Sequence, residues 1–374
     1  MIIDSVSQSL ITIALYLDSK TPGLVSEIWI DEKLVSQIKK QLPTNSEIEK
    51  LLNDTLAQIN SVADPNRRGY LEGIFQSLHY QLFNPDPIYS DFTQNTFGFR
   101  INRVTETELK SIEDKIKTIE KQVGLSRQEI CQKNFLTKDQ YQLNFSDSVA
   151  RVKSQIPPYL LDFPDSGFVF DTTTRQPWTA FNSHVAPFKS KLTINLDSSF
   201  SRLDLFRLAS HEAYGGHHTE LSNKDKLLLD EGRGEHGLVI TYSPQAFVSE
   251  GIAEGMLTIL NLLDQGNPEA MIAWYYDRLV FALHNLATFL FFEDKLSKEE
   301  VEKQLTKYSI SDKTREEILN FSTDSLYGRY APVYHSAYNF INELFIKSKD
   351  KEKFIKTLFT QPCTPELLIK EFGH

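Results

Sequence analysis

Along most of the chain, apolar residues recur every three or four positions, the spacing that keeps them on one face of a helix. Ser5 to Tyr16 places Leu10, Ile11, Ile13, Ala14 and Leu15 in this way, and Glu47 to Ala63 does so with Ile48, Leu51, Leu52, Leu56 and Ile59. Gly69 to Leu82 and Glu106 to Val123 follow the same rule, the latter with Leu109, Ile112, Ile116 and Ile119. The pattern predicts packing helices. It changes at Pro157-Pro158. From Asp162 to Asp197 turn formers and aromatics surround two short β-like runs, Phe168 to Phe170 and Leu192 to Leu196, which predict a small sheet or hairpin. Helical spacing then resumes. Ser201 and Asp204 resemble a capping box, and Ser243-Pro244 an N-cap and first-turn pair for a helix reaching Leu263. Further helices are expected over Pro268 to Glu293, Lys298 to Lys307, Asp312 to Phe321 and Ser325 to Lys347, with a short one after Pro365. The expected fold is mainly α with a small β element. A helical region over 1–155 and a second region over 156–374 are expected to form one continuous globular unit.

Composition narrows the function. The 374 residues carry a formal charge of −10, which argues against nucleic acid or an anionic membrane as partner. Two cysteines, Cys131 and Cys363, cannot build a disulfide framework or a thiolate zinc site. No apolar run approaches the ~20 residues of a membrane span. The N-terminus lacks a basic region and has Asp4 in its place, so a cytoplasmic location is expected. Four of the nine histidines (His211, His217, His218 and His236) fall in one short stretch.

That stretch contains His211-Glu212-Ala213-Tyr214-Gly215-Gly216-His217-His218-Thr219-Glu220. A His-Glu pair followed by another His is the logic of a zinc hydrolase: imidazoles hold the ion and the Glu beside the first activates water. The spacing departs from the common i, i+4. On an ideal helix His217 lies about 240° from His211, and His218 lies on the right face but roughly 10 Å further along. Neither shares an ion with His211 unless the chain breaks, and Gly215-Gly216 lies where a break is needed. The alternative is a helix cap at Gly215 followed by surface histidines. Downstream, Glu250 and Glu254 lie one turn apart in an otherwise apolar segment flanked by Gly251 and Gly255. They are either solvent-facing or partnered by a metal and its ligands. Tyr327, Tyr330, Tyr334 and Tyr338 supply phenols at roughly helical spacing.

These residues together resemble the domain of unknown function 885 family, bacterial proteins regarded as gluzincin-like zinc metallopeptidases. HEAYGGHHTE is similar to the family's HEAYPGHHTE, with Gly215 in place of its proline. Pro177 to Asn182 resembles its PWGGFN-like segment and Ser190 to Asn195 its SRIDIN strand. Gly234 to Gly237 resembles its GEHA-like segment, and Ser249 to Glu254 its SEGIAD, with Glu254 in place of an Asp. Arg329 to Tyr334 resembles its RAYVFTY-like helix, and Thr360 to Pro365 its closing turn. Leu15 to Asp18 and Pro22-Gly23 fit more loosely.

The resemblance implies a metallopeptidase-like fold with the β element beside the cleft. It implies one Zn2+ held by His211, His217 and Glu250, with Glu212 as general base. Tyr334, or His236, is then expected to stabilise the oxyanion. Glu254, His218, Arg329 and Asn195 are expected around the centre, Arg329 as a binder of a substrate carboxylate. The strand Leu192 to Leu196 is expected to receive an extended peptide by β-addition, with Trp178 and Asn182 as groove residues. The expected substrate is a peptide or small amide, cut by a carboxypeptidase, dipeptidase or oligopeptidase. The alternatives are a zinc hydrolase of a non-peptide amide or ester and an inactive metal-binding scaffold. The oligomeric state is left open.

Overall fold

The computed structural model describes residues 2–84, 87–176 and 178–373. Eight helices precede the first sheet-rich segment: α1 (Ser5–Lys20), α2 (Glu32–Lys40), α3 (Ile48–Asn60), α4 (Pro65–Phe83), α5 (Tyr89–Phe97), α6 (Glu106–Val123), α7 (Arg127–Asn134) and α8 (Tyr141–Lys153). After it come α9 (Arg202–Glu212), α10 (His217–Glu231), α11 (Pro244–Ile259) and α12 (Pro268–Thr288). The chain closes with α13 (Lys298–Leu305), α14 (Asp312–Ser322), α15 (Val333–Lys347), α16 (Lys351–Thr360) and α17 (Pro365–Phe372). The fold is mainly α, as the spacing of apolar residues predicts. No described helix is long and apolar enough to cross a membrane.

Several helix starts follow from local chemistry. The Asp4 side chain accepts the Ser7 N–H at α1, and Ser201 and Asp204 form a reciprocal capping box at α9. Ser243 caps α11, with Pro244 at its first position. Two expectations need correction. The helix expected from Ser325 starts only at Val333. Before it, Asp324 Oδ1 accepts the N–H groups of Leu326 and Tyr327 in a turn, and Pro332 brings no N–H to an upstream helix. The helix expected through Glu293 is α-helical to Thr288 and widens into a π-helical turn over Phe289–Glu293.

Two sheets are present among the described residues. β1 (Val25–Ile28) pairs antiparallel with β5 (Leu238–Ile240). In the other, β4 (Lys189–Asn195) lies between β2 (Phe168–Thr173), to which it runs parallel, and β3 (Ala180–Ala186), to which it runs antiparallel. This overturns β4 as a peptide-receiving edge: both of its flanks are already paired.

One apolar cluster runs from Val6 and Leu10 in α1 through Leu205, Phe247 and Ile341 to Phe372, so both ends of the chain share it. A smaller one joins α6 to α12, α13 and α14. Helix α11 lies in the larger cluster with nearly every residue buried, and α15 packs along it. That is why carboxylates placed on α11 are forced into the interior.

Candidate metal centre

The centre begins with the break between α9 and α10. Helix α9 ends at Glu212, Ala213 leaves the helical region at φ −110° and ψ −119°, and Gly215 takes φ +91°. That φ is closed to proline, whose ring fixes φ near −65°. Gly216 is required for a different reason. A Cβ on it would stand 1.7 Å from the His211 carbonyl oxygen. The Gly215 N–H, which a proline would lack, donates to Thr219 Oγ1 at 3.1 Å. Asn182 of β3 ties down the end of α9 by donating to the Glu212 carbonyl.

The break brings the rings of His211 and His217 to 4.8 Å, nearly perpendicular. Nitrogen and carboxylate atoms of His211, Glu212 and His217 lie within 4.8 Å of one another. Glu250 comes down from α11. Its Oε2 lies 3.5 Å from His211 Nε2 and 3.8 Å from His217 Nε2. Ligand atoms on a tetrahedral ion with bonds of about 2.0–2.1 Å stand roughly 3.3 Å apart, so this donor set is close to closed around an ion. Glu250 Oε2 is buried and has no hydrogen-bond partner among the described residues. A buried acceptor left in this way calls for a proton, a donor or a cation beyond the described side chains. Two imidazoles and a carboxylate are the donors of a catalytic zinc site.

The surrounding groups aim these donors. Tyr330 donates to the other Glu250 oxygen at 2.9 Å. His211 Nδ1 lies 2.9 Å from Glu254 Oε1, and His217 Nδ1 lies 3.1 Å from Ser249 Oγ, which itself donates to Glu220. His217 Nδ1 is thus hydrogen-bonded and His211 Nδ1 lies in ion-pair range of Glu254, while the Nε2 of each is turned toward Glu250. Arg278 and Arg207 flank Glu254.

Burial and neighbouring charges displace the titrating groups of the centre in both directions. Burial, outweighing His211 and Tyr330, lifts the Glu250 carboxyl to about 8. Burial also raises Glu212. For His211 the order reverses. Burial would lower it, but Glu212, Glu254 and Glu250 push it up to about 9. Burial would raise Glu254 too, yet Arg278, His211 and Arg207 hold it well below the usual carboxylate range. His217 is driven well down by burial and by His211.

A cleft of about 110 Å3 opens on this centre. It is lined by His211, Glu212, His217 and Glu250, by Tyr327, Tyr330 and Tyr334, and by Trp178, Phe181 and Asn182. Trp178 and Asn182 thus lie where the sequence expects them, while Pro177 beside them is outside the described residues. Tyr334 stacks on Phe281 at 5.2 Å, and burial with nearby carboxylates keeps its phenol protonated.

Four expected site residues lie elsewhere. His236 is fully buried, stacked 5.2 Å from Tyr70 and absent from the cleft lining, so it is no oxyanion donor. Its segment follows Glu235, which is paired to Arg67 beneath α1. Asn195 donates to the Gln176 and Trp178 carbonyls and shapes that loop from behind. Arg329 lies over the rings of Phe92 and Phe292, outside the cleft lining. His218 points away from the centre, toward Ser190 and Asp165. Sequence reasoning missed Glu27 of β1, which also lines the cleft, and the role of Tyr330. The tyrosine spacing pointed to the latter without separating it from Tyr334.

No family model matches the chain, and no curated protein matches it. Among solved structures it superposes on a protein from Colwellia psychrerythraea described as a "putative lipoprotein", with a TM-score of 0.58 and 14% identity. That match covers 88% of this chain and 63% of the other, so the chain spans less than two thirds of its neighbour's length. A second, a "putative lipoprotein of unknown function" from Shewanella oneidensis, covers 99% of this chain and 73% of that one at 13% identity and a TM-score of 0.45. At this identity the first likeness shows a shared fold alone.

Proposed function

We propose that the protein is a zinc-dependent hydrolase of the metallopeptidase type, in keeping with the resemblance to the domain of unknown function 885 family. The observation that carries the reading is the convergence of His211 Nε2, His217 Nε2 and the unpartnered Glu250 Oε2, with Glu212 alongside. Zinc held by these three atoms would supply Lewis acidity and bring a water's pKa toward about 7.

Glu212 is the general base. Its Oε1 lies 3.9 Å from His211 Nε2, within reach of a water bound beside that nitrogen. Burial raises its pKa, which makes the carboxylate a stronger base to take a proton and to pass it to the leaving amine. Tyr334, protonated and lining the same cleft, donates to the carbonyl oxygen as negative charge builds there. Tyr330 keeps Glu250 oriented with Oε2 inward. The small cleft favours a short peptide or a small amide over a long chain bound throughout.

The test joins metal analysis to turnover. Protein reconstituted with zinc is assayed for bound metal and for hydrolysis of a panel of peptides, small amides and esters. The expected result is one zinc per chain, with Glu212→Gln keeping the zinc and losing about 10²–10⁴ in kcat. Absence of stoichiometric zinc, or full activity in Glu212→Gln, ends the proposal. Turnover restricted to non-peptide amides or esters moves the substrate class. Bound zinc with no turnover of any panel member favours the inactive scaffold.

A further inference from the structure

Among the described residues, three carboxylates line the cleft, Glu27, Glu212 and Glu250, and no lysine or arginine does. The centre described above uses two of them. Glu27 is left over, yet it is not loosely placed. It sits in β1 beside a register irregularity between Val25 and Glu27, opposite Val239 of β5, and such irregularities re-aim a side chain. Its Oε2 accepts the His184 N–H of β3 at 2.6 Å, which fixes the carboxylate on the cleft wall. No hydrogen bond within the described residues engages its Oε1.

We infer that Glu27 selects the substrate, its carboxylate receiving a primary ammonium group carried by the molecule that enters the cleft; the inference rests on the hydrolase reading above. Away from the metal, a substrate end bearing a carboxylate would meet the Glu27 carboxylate and, among the described lining residues, no lysine or arginine to receive it. An ammonium meets a fixed carboxylate and the aromatic faces of Trp178, Phe181 and Tyr327, which attract cations. Rejection of the wrong charge is as much a part of selection as attraction of the right one. Burial and, less strongly, Glu212 lift the Glu27 carboxyl to about 8, so its ionised form lacks a compensating charge that an arriving ammonium provides. Arg329, outside the cleft lining, does not supply the carboxylate-binding end expected from the sequence.

Two sources offer this ammonium: a free α-amino terminus or a lysine side chain. Zinc-loaded protein is assayed on four short peptides, with free or acetylated amino terminus, each carrying lysine or norleucine beside the scissile bond. Removing the responsible amine should lower kcat/KM by about 10- to 100-fold, mostly through KM, the scale of a charge-assisted hydrogen bond. The peptide pair that shows the drop identifies the source. Glu27→Gln should bring the ratio between that pair close to one, and Glu27→Asp should retain part of it, with melting curves confirming that both variants fold. An absent amine preference in the wild type, or a ratio unchanged in Glu27→Gln, overturns the inference. A binding arm separates it from the hydrolase reading. Phenylalaninamide and N-acetyl-lysinamide are titrated calorimetrically into metal-free protein, against N-acetyl-phenylalaninamide and N-acetyl-norleucinamide. Amine-dependent binding that Glu27→Gln abolishes, without turnover of any peptide, sustains the inference and sinks the hydrolase reading. Turnover without amine preference does the reverse.

Discussion

His217 and His218 are neighbours at the start of α10, yet they point in different directions and enter two different kinds of polar region. His217 faces the cleft, where Glu250 Oε2 is buried without a partner. His218 enters an open chain of hydrogen bonds whose members partner one another. Its Nδ1 lies 2.8 Å from Ser190 Oγ, and its Nε2 lies 3.2 Å from Asp165 Oδ1. Ser190 continues to His184 Nδ1 at 3.1 Å, His184 Nε2 to Asp225 at 2.7 Å, and Asp225 accepts from Trp29 Nε1 at 2.8 Å. At the far end Asp165 also accepts from Lys153 and Tyr214. The difference teaches how to tell binding from support. Where each polar atom already has its partner, the group holds structure; where buried lone pairs converge on a gap, the group waits for a ligand. The supporting region braces the binding one, because Tyr214 and His218 stand on either side of the Gly215-Gly216 break.

The most severe way to break the comparison is to remove the bend that separates the two regions. Gly216→Ala puts a methyl group into the His211 carbonyl. It should cost about 3 kcal/mol of stability or more, and zinc affinity should fall with it in equilibrium dialysis. An alanine variant with wild-type melting and full metal content would show that the break is not needed.

The pair of imidazoles gives the next test. His217→Ala should abolish stoichiometric zinc while leaving the melting curve of the metal-free protein little changed. His218→Ala should keep the zinc but lose about 2 kcal/mol of stability, because Ser190 and Asp165 lose a buried partner. Exchange of these outcomes, measured by metal analysis and denaturant titration, would reverse the two assignments.

The smallest effect concerns acid. Burial alone would raise the Asp165 carboxyl, but hydrogen bonds from His218, Lys153, Tyr214 and the Gly167 N–H hold it well below its ordinary range. A depressed folded pKa makes the contribution complete above the unfolded value near about 4 and lost as pH falls toward the lower folded value. Asp165→Asn should therefore be less stable at neutral pH and should approach the wild type in melts below about pH 4. A constant difference across that range would disconnect Asp165 from acid lability.

Much of this could be read from the residues. His211 and His217, separated by an angle no straight helix tolerates, demanded a break, and the glycines stood where the chain bends. The carboxylates of α11 were conspicuous because everything around them is apolar. What stayed hidden depended on partners far along the chain. Glu27 belongs to a four-residue strand with no alternating pattern, and only pairing with Leu238 to Ile240 brings it to the cleft. The central position of β4 is set by flanking strands, not by its own sequence. His236 lies close to His211 and His217 in sequence, and Arg329 beside Tyr330, but packing on Tyr70 and on Phe92 and Phe292 takes their side chains elsewhere.

The bend has one more consequence, for the unfolded chain. His211 and His217 are six positions apart, and closing so short a loop costs little entropy. A divalent ion therefore finds two imidazoles within reach before Glu250 arrives from the other helix. Affinity for the unfolded state subtracts from the stabilisation that ligand binding confers. Zinc should raise the melting temperature of this protein by less than its affinity for the native centre implies. The compactness that closes the centre also makes part of it available without the fold.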